Sequence, residues 1–431
     1  MGEAQQQVGA IASGQTSSVA ATQAMIERIE AGDGEINAVV VRDFDRALEQ
    51  AAYADQRLAA GERAPLLGLP MTVKESIDIA GLRSTWGMPE HADHVASRDA
   101  VVVDRLRAAG AVIVGKTNVS PALADLQAVN EVYGATHNPY LHGRTPGGSS
   151  GGSAAALAAG FTSLEVGSDI GGSIRLPAGF CGVWGLKPTY GAVSMQGHYL
   201  PGTDGADLPL GVGGPLARSA DDLALLLSVL ADHPLAGPRN LDTPRVAVVA
   251  PHPVAPIGAD VAAAVDATVA ALEALGAQID RAPQLPDLQT DNRRYVKLLN
   301  TALAHGASAP GREPLSASDW LDLLDEQARA ARAWDDVLAD RYDYVLAPTF
   351  SRTAFPIDDT DIAGRTLDVD GEAVPCATQL AWAGMATYSG LPAVSFPAGR
   401  GNDDLPIGLQ LIGPRHGDLD VIDLAARVAR G

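Results

Sequence analysis

Cysteine is nearly absent from this chain. Cys181 and Cys376 are the only two in 431 residues. They are expected to be free thiols, and two sulfurs cannot build a Cys-rich metal site. The nine histidines contain no H-x-x-x-H or H-x-x-E-H pattern, so a catalytic zinc is not expected and no cofactor is implied. Basic residues are outnumbered 52 to 31, a net charge of −21. That balance repels phosphate backbones and anionic lipid, and no local basic patch offsets it, which argues against a nucleic-acid or membrane partner. Aromatics make up 5% and give little material for a large aromatic cage, although Tyr133, Trp184, Tyr199, Trp382 and Tyr388 are candidate pocket residues. No run of about 18 apolar residues is present to span a bilayer, and Met1-Gly2-Glu3-Ala4-Gln5-Gln6-Gln7 is too polar for a signal peptide, so the expected location is the cytoplasm.

Glycine and serine are abundant, and two segments concentrate them: Gly147-Gly148-Ser149-Ser150-Gly151-Gly152-Ser153 and Gly167-Ser168-Asp169-Ile170-Gly171-Gly172-Ser173-Ile174-Arg175. Backbone without Cβ atoms can turn several N–H groups toward one point, as a developing oxyanion requires, and a serine closing such a run can be a nucleophile. A serine hydroxyl attacks poorly until a base removes its proton. Lys74 follows the apolar run Leu69–Val73, which reads as a buried strand, and burial lowers a lysine's pKa toward the range where the neutral amine is a base. Unperturbed, that amine would be neutral in only about one molecule in 2500 at pH 7, a deficit of roughly 4–5 kcal/mol. Taken singly, Lys74 reads as a strand-end lysine reaching water and Ser149 as a turn residue. The loop before the Ala-rich stretch 153–160 could cradle a phosphate, but Gly151-Gly152-Ser153 lacks the lysine that a phosphate loop places at the helix entrance.

In combination, the Lys74 segment, Thr145 to Ala156, and Gly167 to Pro177 followed by Phe180-Cys181-Gly182-Val183-Trp184-Gly185-Leu186-Lys187-Pro188-Thr189 closely resemble the amidase signature family. The resemblance implies a Ser–cisSer–Lys triad with Ser173 as nucleophile, Ser149 as the bridging serine on a cis peptide and Lys74 as base. It further implies an oxyanion hole from the amides of Ile170, Gly171, Gly172 and Ser173, supported by Asp169, Arg175 and Ser150. The spacing from Ser149 to Ser173 carries no insertion. Glu75-Ser76 stands where the family more often has Asp-Asn or a similar pair, which alters what surrounds the base. Lys116, Asn118 and Lys187 read as structural, and His142 and His198 as loop or pocket-rim residues.

The activity so implied is hydrolysis of a small-molecule carboxamide, small or aryl, with ester cleavage as a side reaction and a homodimer open by analogy. An alternative within the family is an amidotransferase A subunit that releases ammonia for a tRNA-dependent partner. An alternative from another class is a non-catalytic anion- or nucleotide-binding module.

Strands are expected at Val39–Val41, Leu69–Val73, Val112–Val114, Leu164–Val166, Val246–Val249, Tyr344–Leu346, Ala393–Phe396 and Leu409–Ile412, and helices near 43–60, 99–109, 152–160, 219–231, 259–275 and 318–340. This alternation predicts an α/β fold with helices on both faces of the sheet. The family adds a twisted, mixed central sheet in a single domain over 1–431. Pro234 to Pro244 reads as a surface connection, and 283–316 as a Pro, Ser and Gly-rich segment with little periodicity. With 350–380, that segment is expected to form the variable walls of a substrate pocket within the region 235–385.

Overall fold

The computed structural model describes residues 1–203, 205–304 and 315–430. The chain lays down β1 (Val39–Arg42), β2 (Pro70–Lys74) and β3 (Val112–Thr117), then a short ribbon of β4 (Val129–Asn130) and β5 (Gly134–Ala135). Next come β6 (Leu164–Asp169), β7 (Trp184–Lys187), β8 (Val212–Ala217), β9 (Arg245–Val248), β10 (Gln278–Asp280) and β11 (Tyr344–Pro348). A second ribbon, β12 (Thr366–Val369) with β13 (Glu372–Pro375), precedes β14 (Ala393–Arg400) and β15 (Pro406–Ile412). Apart from the ribbons these form one 11-stranded sheet in the order β1-β3-β2-β6-β8-β7-β14-β15-β11-β9-β10. The sheet is mixed: β3, β2 and β6 run parallel, as do β11, β9 and β10, while the strands between pair antiparallel.

Helices cover both faces because successive strand residues point to opposite sides. Val246 and Val248 of β9, Leu346 of β11 and Val394 of β14 join one apolar cluster with residues of α4 (Val101–Ala108), α7 (Ala220–Leu230), α8 (Ala259–Ala274) and α12 (Asp418–Val428). Their neighbours Ala247, Val345, Ala347 and Ala393 pack on the other face against α10 (Ala317–Asp340) and α11 (Leu380–Ser389). Farther along that sheet, Val112 and Val114 of β3 meet α2 (Ser18–Ile36), α3 (Phe44–Ala59) and α5 (Gly151–Ala158). The N-terminal helix α1 (Glu3–Ala12) anchors its first turn to Asp222.

The structure corrects the reading of 283–316. A four-turn helix, α9 (Leu288–Leu303), occupies its centre, capped by Asp287, which accepts from the amides of Gln289 and Thr290. Its inner face is Tyr295, Leu298, Leu299 and Ala302, a helical spacing masked by the polar residues between them and the prolines before it. Residues 305–314 lie outside the described ones. Strand β8 is a further addition to the expected set, because Val-Gly-Gly-Pro-Leu-Ala has the composition of a turn. A Cβ on Gly214 would collide with the carbonyl of Leu186 on the adjacent strand β7. The connection 234–244 runs along the surface, and Cys181 and Cys376 are free and buried. Among the described residues no helix is long and apolar enough to cross a membrane.

Candidate active site

Strands β2, β3 and β6 are buried on both faces, so they read as apolar runs, and the charged residues they do contain stand out. Lys74 closes β2 with no exposed surface. Its Nζ donates to Ser149 Oγ at 2.7 Å and to Ser168 Oγ at 2.9 Å. Burial drives its pKa from 10.5 down to about 7, although the negative charges of Asp169 and Glu75 pull it back upward. A large share of the amine is therefore neutral at physiological pH.

Ser149 follows a cis peptide with Gly148 in a loop pressed against the 125–127 backbone. A Cβ on Gly148 would lie 2.5 Å from the amide nitrogen of Gln127 and 2.6 Å from the carbonyl oxygen of Asp125, so only glycine fits there. Ser150 joins the two Gly/Ser segments. Its amide donates to the carbonyl of Ser173 at 3.2 Å, and its hydroxyl meets the Ser168 backbone at 3.3 and 3.4 Å. Ser173 is buried to 4% exposure, and its hydroxyl takes part in no hydrogen bond among the described residues.

Between β6 and the short helix α6 (Arg175–Phe180), the loop 170–174 is shaped by Asp169. Its carboxylate accepts from the amides of Gly172 (3.0 Å), Ile174 (3.1 Å) and Arg175 (3.4 Å) and from the Arg175 guanidinium at Nε (3.0 Å) and Nη2 (2.9 Å). Gly172, at φ +93°, turns its amide inward to do this. The Gly172 N–H is therefore engaged by Asp169 within the loop. Burial alone would raise the Asp169 pKa, but Arg175 outweighs it and holds the carboxyl at about 2. The remaining Arg175 donors reach Gln410 (2.8 Å), Thr387 (2.8 Å) and the carbonyl of Ala383 (3.2 Å), so this arginine braces the loop from within the protein.

The Glu75-Ser76 pair has a defined role around the amine. Glu75 accepts from the amides of Thr85 (2.6 Å) and Trp86 (3.0 Å) and from the Tyr133 hydroxyl (2.8 Å), pinning the 84–88 turn beside Lys74. Ser76 Oγ sits 3.0 Å from His198 Nε2. Burial, followed by the positive charges of Lys74 and Lys116, lowers the His198 pKa to about 3, so the ring stays neutral. His142 instead stacks on His137, with centroids 3.7 Å apart. Lys116 and Lys187 are buried and bonded to backbone carbonyls, Arg83 and Pro188 respectively, and Asn118 spans Gly134 and Thr136.

Two residues escaped the sequence reading. Ser168 is the second acceptor of Lys74, and Glu165 lies buried with its carboxylate against Thr72 and Thr117. Burial raises the Glu165 pKa to about 8, over the opposing pull of those hydroxyls, and the group is largely protonated at pH 7. Of the aromatic candidates, Trp184 and Trp382 are buried in separate apolar clusters and the half-buried Tyr133 donates to Glu75. Tyr199 donates to Asp207 (2.9 Å). Tyr388 lines a cavity of about 10 Å³ with His252, Trp334 and Met385, room for one water and no substrate.

With this geometry in hand, comparison with known proteins is specific. The Amidase family description matches residues 20–309 and 289–422. The Mycobacterium tuberculosis protein named "Putative amidase AmiB2" is 38% identical over 429 residues, covering 94% of this chain and 90% of that protein. The glutamyl-tRNA(Gln) amidotransferase A subunit of Deinococcus radiodurans is 33% identical over 483 residues, covering 96% and 94%. Among solved structures, 6-aminohexanoate cyclic dimer hydrolase complexed with substrate superposes with a TM-score of 0.84 at 28% identity, covering 99% of this chain and 96% of that one.

Proposed function

Because this chain belongs to the Amidase family, whose members hydrolyse amides, we propose that it cleaves a small-molecule carboxamide to a carboxylate and ammonia or an amine through an acyl-enzyme on Ser173. One observation carries the reading: a fully buried lysine with a pKa near 7 lies 2.7 Å from Ser149 Oγ. Ser149 passes its proton to the neutral Lys74 amine and takes the proton of Ser173, whose oxygen forms the new bond to the carbonyl carbon. The carbonyl π electrons move onto oxygen, which accepts from the amides of Ile170, Gly171 and Ser173. As the tetrahedral intermediate collapses, the C–N bond breaks and the Lys74 proton returns through Ser149 to the departing nitrogen. Water repeats the sequence and releases the acid. The Ser173-to-Ser149 link closes when substrate enters, as catalytic hydrogen bonds commonly tighten only then.

The substrate is assigned to small or aryl amides, and similarity to a cyclic dimer hydrolase adds cyclic amides to the panel to be tested. The walls that choose among them fall in 235–385, and esters are expected as slower substrates. The working location is the cytoplasm. Ser173→Ala eliminates both turnover across that panel and labelling by a fluorophosphonate, and retention of either reassigns the nucleophile.

A second reading is supported by the full-length similarity to the A subunit of an amidotransferase. In that case the isolated chain fails to hydrolyse simple amides and copurifies with a partner that needs its ammonia. Affinity for ATP without reactivity toward the fluorophosphonate would instead favour a nucleotide-binding module.

A further inference from the structure

We infer that Tyr295 is a positioning residue of the oxyanion loop, aiming the Gly171 amide by holding the carbonyl at the opposite edge of the same peptide. The inference rests on Ser173 being the nucleophile. Tyr295 lies on α9, outside every Gly/Ser segment, and has no exposed surface. Its hydroxyl donates to the carbonyl oxygen of Ile170 at 2.8 Å.

In a planar trans peptide the C=O of one residue and the N–H of the next point in opposite directions. The Ile170 carbonyl and the Gly171 amide share one such plane, so fixing the first sets the second. The following plane is fixed independently, because the Gly172 amide donates to Asp169. Two consecutive peptides are thus held by side chains from separate parts of the chain, and the Gly171 amide between them needs no acceptor of its own within the protein.

The surroundings are built to seat this phenol. Gly384 on α11 leaves room for the ring, since a Cβ there would lie 2.6 Å from Tyr295 Cδ1. Tyr388 meets the ring at a tilt of 60° with centroids 6.5 Å apart. Gly171 is confined as well, a Cβ on it lying 3.2 Å from Leu380 Cδ2. Burial pushes the phenol well above its usual range, so the hydroxyl remains a donor at any working pH. A helix of the pocket-shaping region thereby sets the alignment of the group that stabilises the transition state.

The test uses the full chain and a fluorophosphonate, whose P=O oxygen occupies the place of the oxyanion. Tyr295→Phe is expected to slow labelling about ten- to a hundredfold, somewhat less than deleting an oxyanion donor outright. On the best amide of the panel it lowers kcat and leaves KM unchanged, a split that mere loosening of the fold does not produce. 4-Aminophenylalanine at position 295, which keeps a donor in place, restores most of the rate. Labelling of Tyr295→Phe at the wild-type rate, or no rescue by the donor analogue, overturns the inference. If Tyr295→Phe does not fold, Gly384→Ala carries the test: it keeps the hydroxyl but displaces the ring, and a wild-type labelling rate again overturns it. Labelling of Ser173→Ala is a different result and refutes the nucleophile assignment itself.

Discussion

Replacing Lys74 by methionine should produce a protein that is inactive and more stable. The wild-type amine is held near pKa 7 in the fold and returns to 10.5 on unfolding. At pH 7 and below, that gap opposes folding by about 5 kcal/mol at ~1.36 kcal/mol per pH unit. The sign follows from proton counting. Between pH 7 and 10.5 the unfolded chain carries a proton at this position and the native one does not, so stability rises with pH through that window. Methionine fills similar space without a charge to desolvate, but it forfeits the bonds to Ser149 and Ser168, each worth ~1 kcal/mol net. The balance is a variant about 2–3 kcal/mol more stable than wild type at pH 7, with an advantage that shrinks by roughly 2–3 kcal/mol by pH 9. Urea unfolding of both proteins at pH 7, 8 and 9, alongside turnover, provides the measurement. Parallel pH dependences for the two would mean that the native amine is charged and hydrated, and the base assignment would fall with it.

Other outcomes follow from the same interior. Turnover should climb about tenfold per pH unit below an apparent pKa near 7 and level off above it; a rate that stays constant from pH 5.5 to 8 would remove Lys74 as the titrating base. Asp169→Asn leaves the buried Arg175 charge uncompensated and should destabilise by ~3–5 kcal/mol, read as a lowered melting temperature; an unchanged melt would refute that pairing. Glu165 has its pKa raised from 4.5 to about 8, so its ionisation in the unfolded chain makes wild-type stability fall as pH rises between those values. Glu165→Gln should flatten this decline, and denaturation curves at pH 5 and 8 that still diverge as in wild type would contradict it.

The residues proposed to do the chemistry were legible because their requirements are local. Lys74 ends an apolar run, and Ser149 and Ser173 sit among glycines whose absent side chains the structure puts to use, as at Gly148 and Gly172. What supports them was not legible. Arg175 is neutralised by a neighbour, Asp169, but its other donors end on Ala383, Thr387 and Gln410, more than 200 residues downstream. No spacing rule connects such positions. Helix α9 was hidden for another reason. Its buried stripe is only four residues wide in a polar stretch, so the signal was Asp287 as cap together with the Tyr295 to Ala302 rhythm, and composition overrode both. Strand β8 inverts the ordinary use of Gly-Gly-Pro, since the glycines serve close strand approach and not a turn.

The reach of Arg175 has a bearing on biogenesis. Until β15 has been translated and Gln410 has left the ribosome, the guanidinium has Asp169, Ala383 and Thr387 to hold it but lacks its remaining side-chain partner. Chains truncated before that strand therefore lack the Gln410 contact that completes the bracing of the 170–174 loop. Full support for the loop that carries Ser173 thus waits until nearly the whole chain has been made.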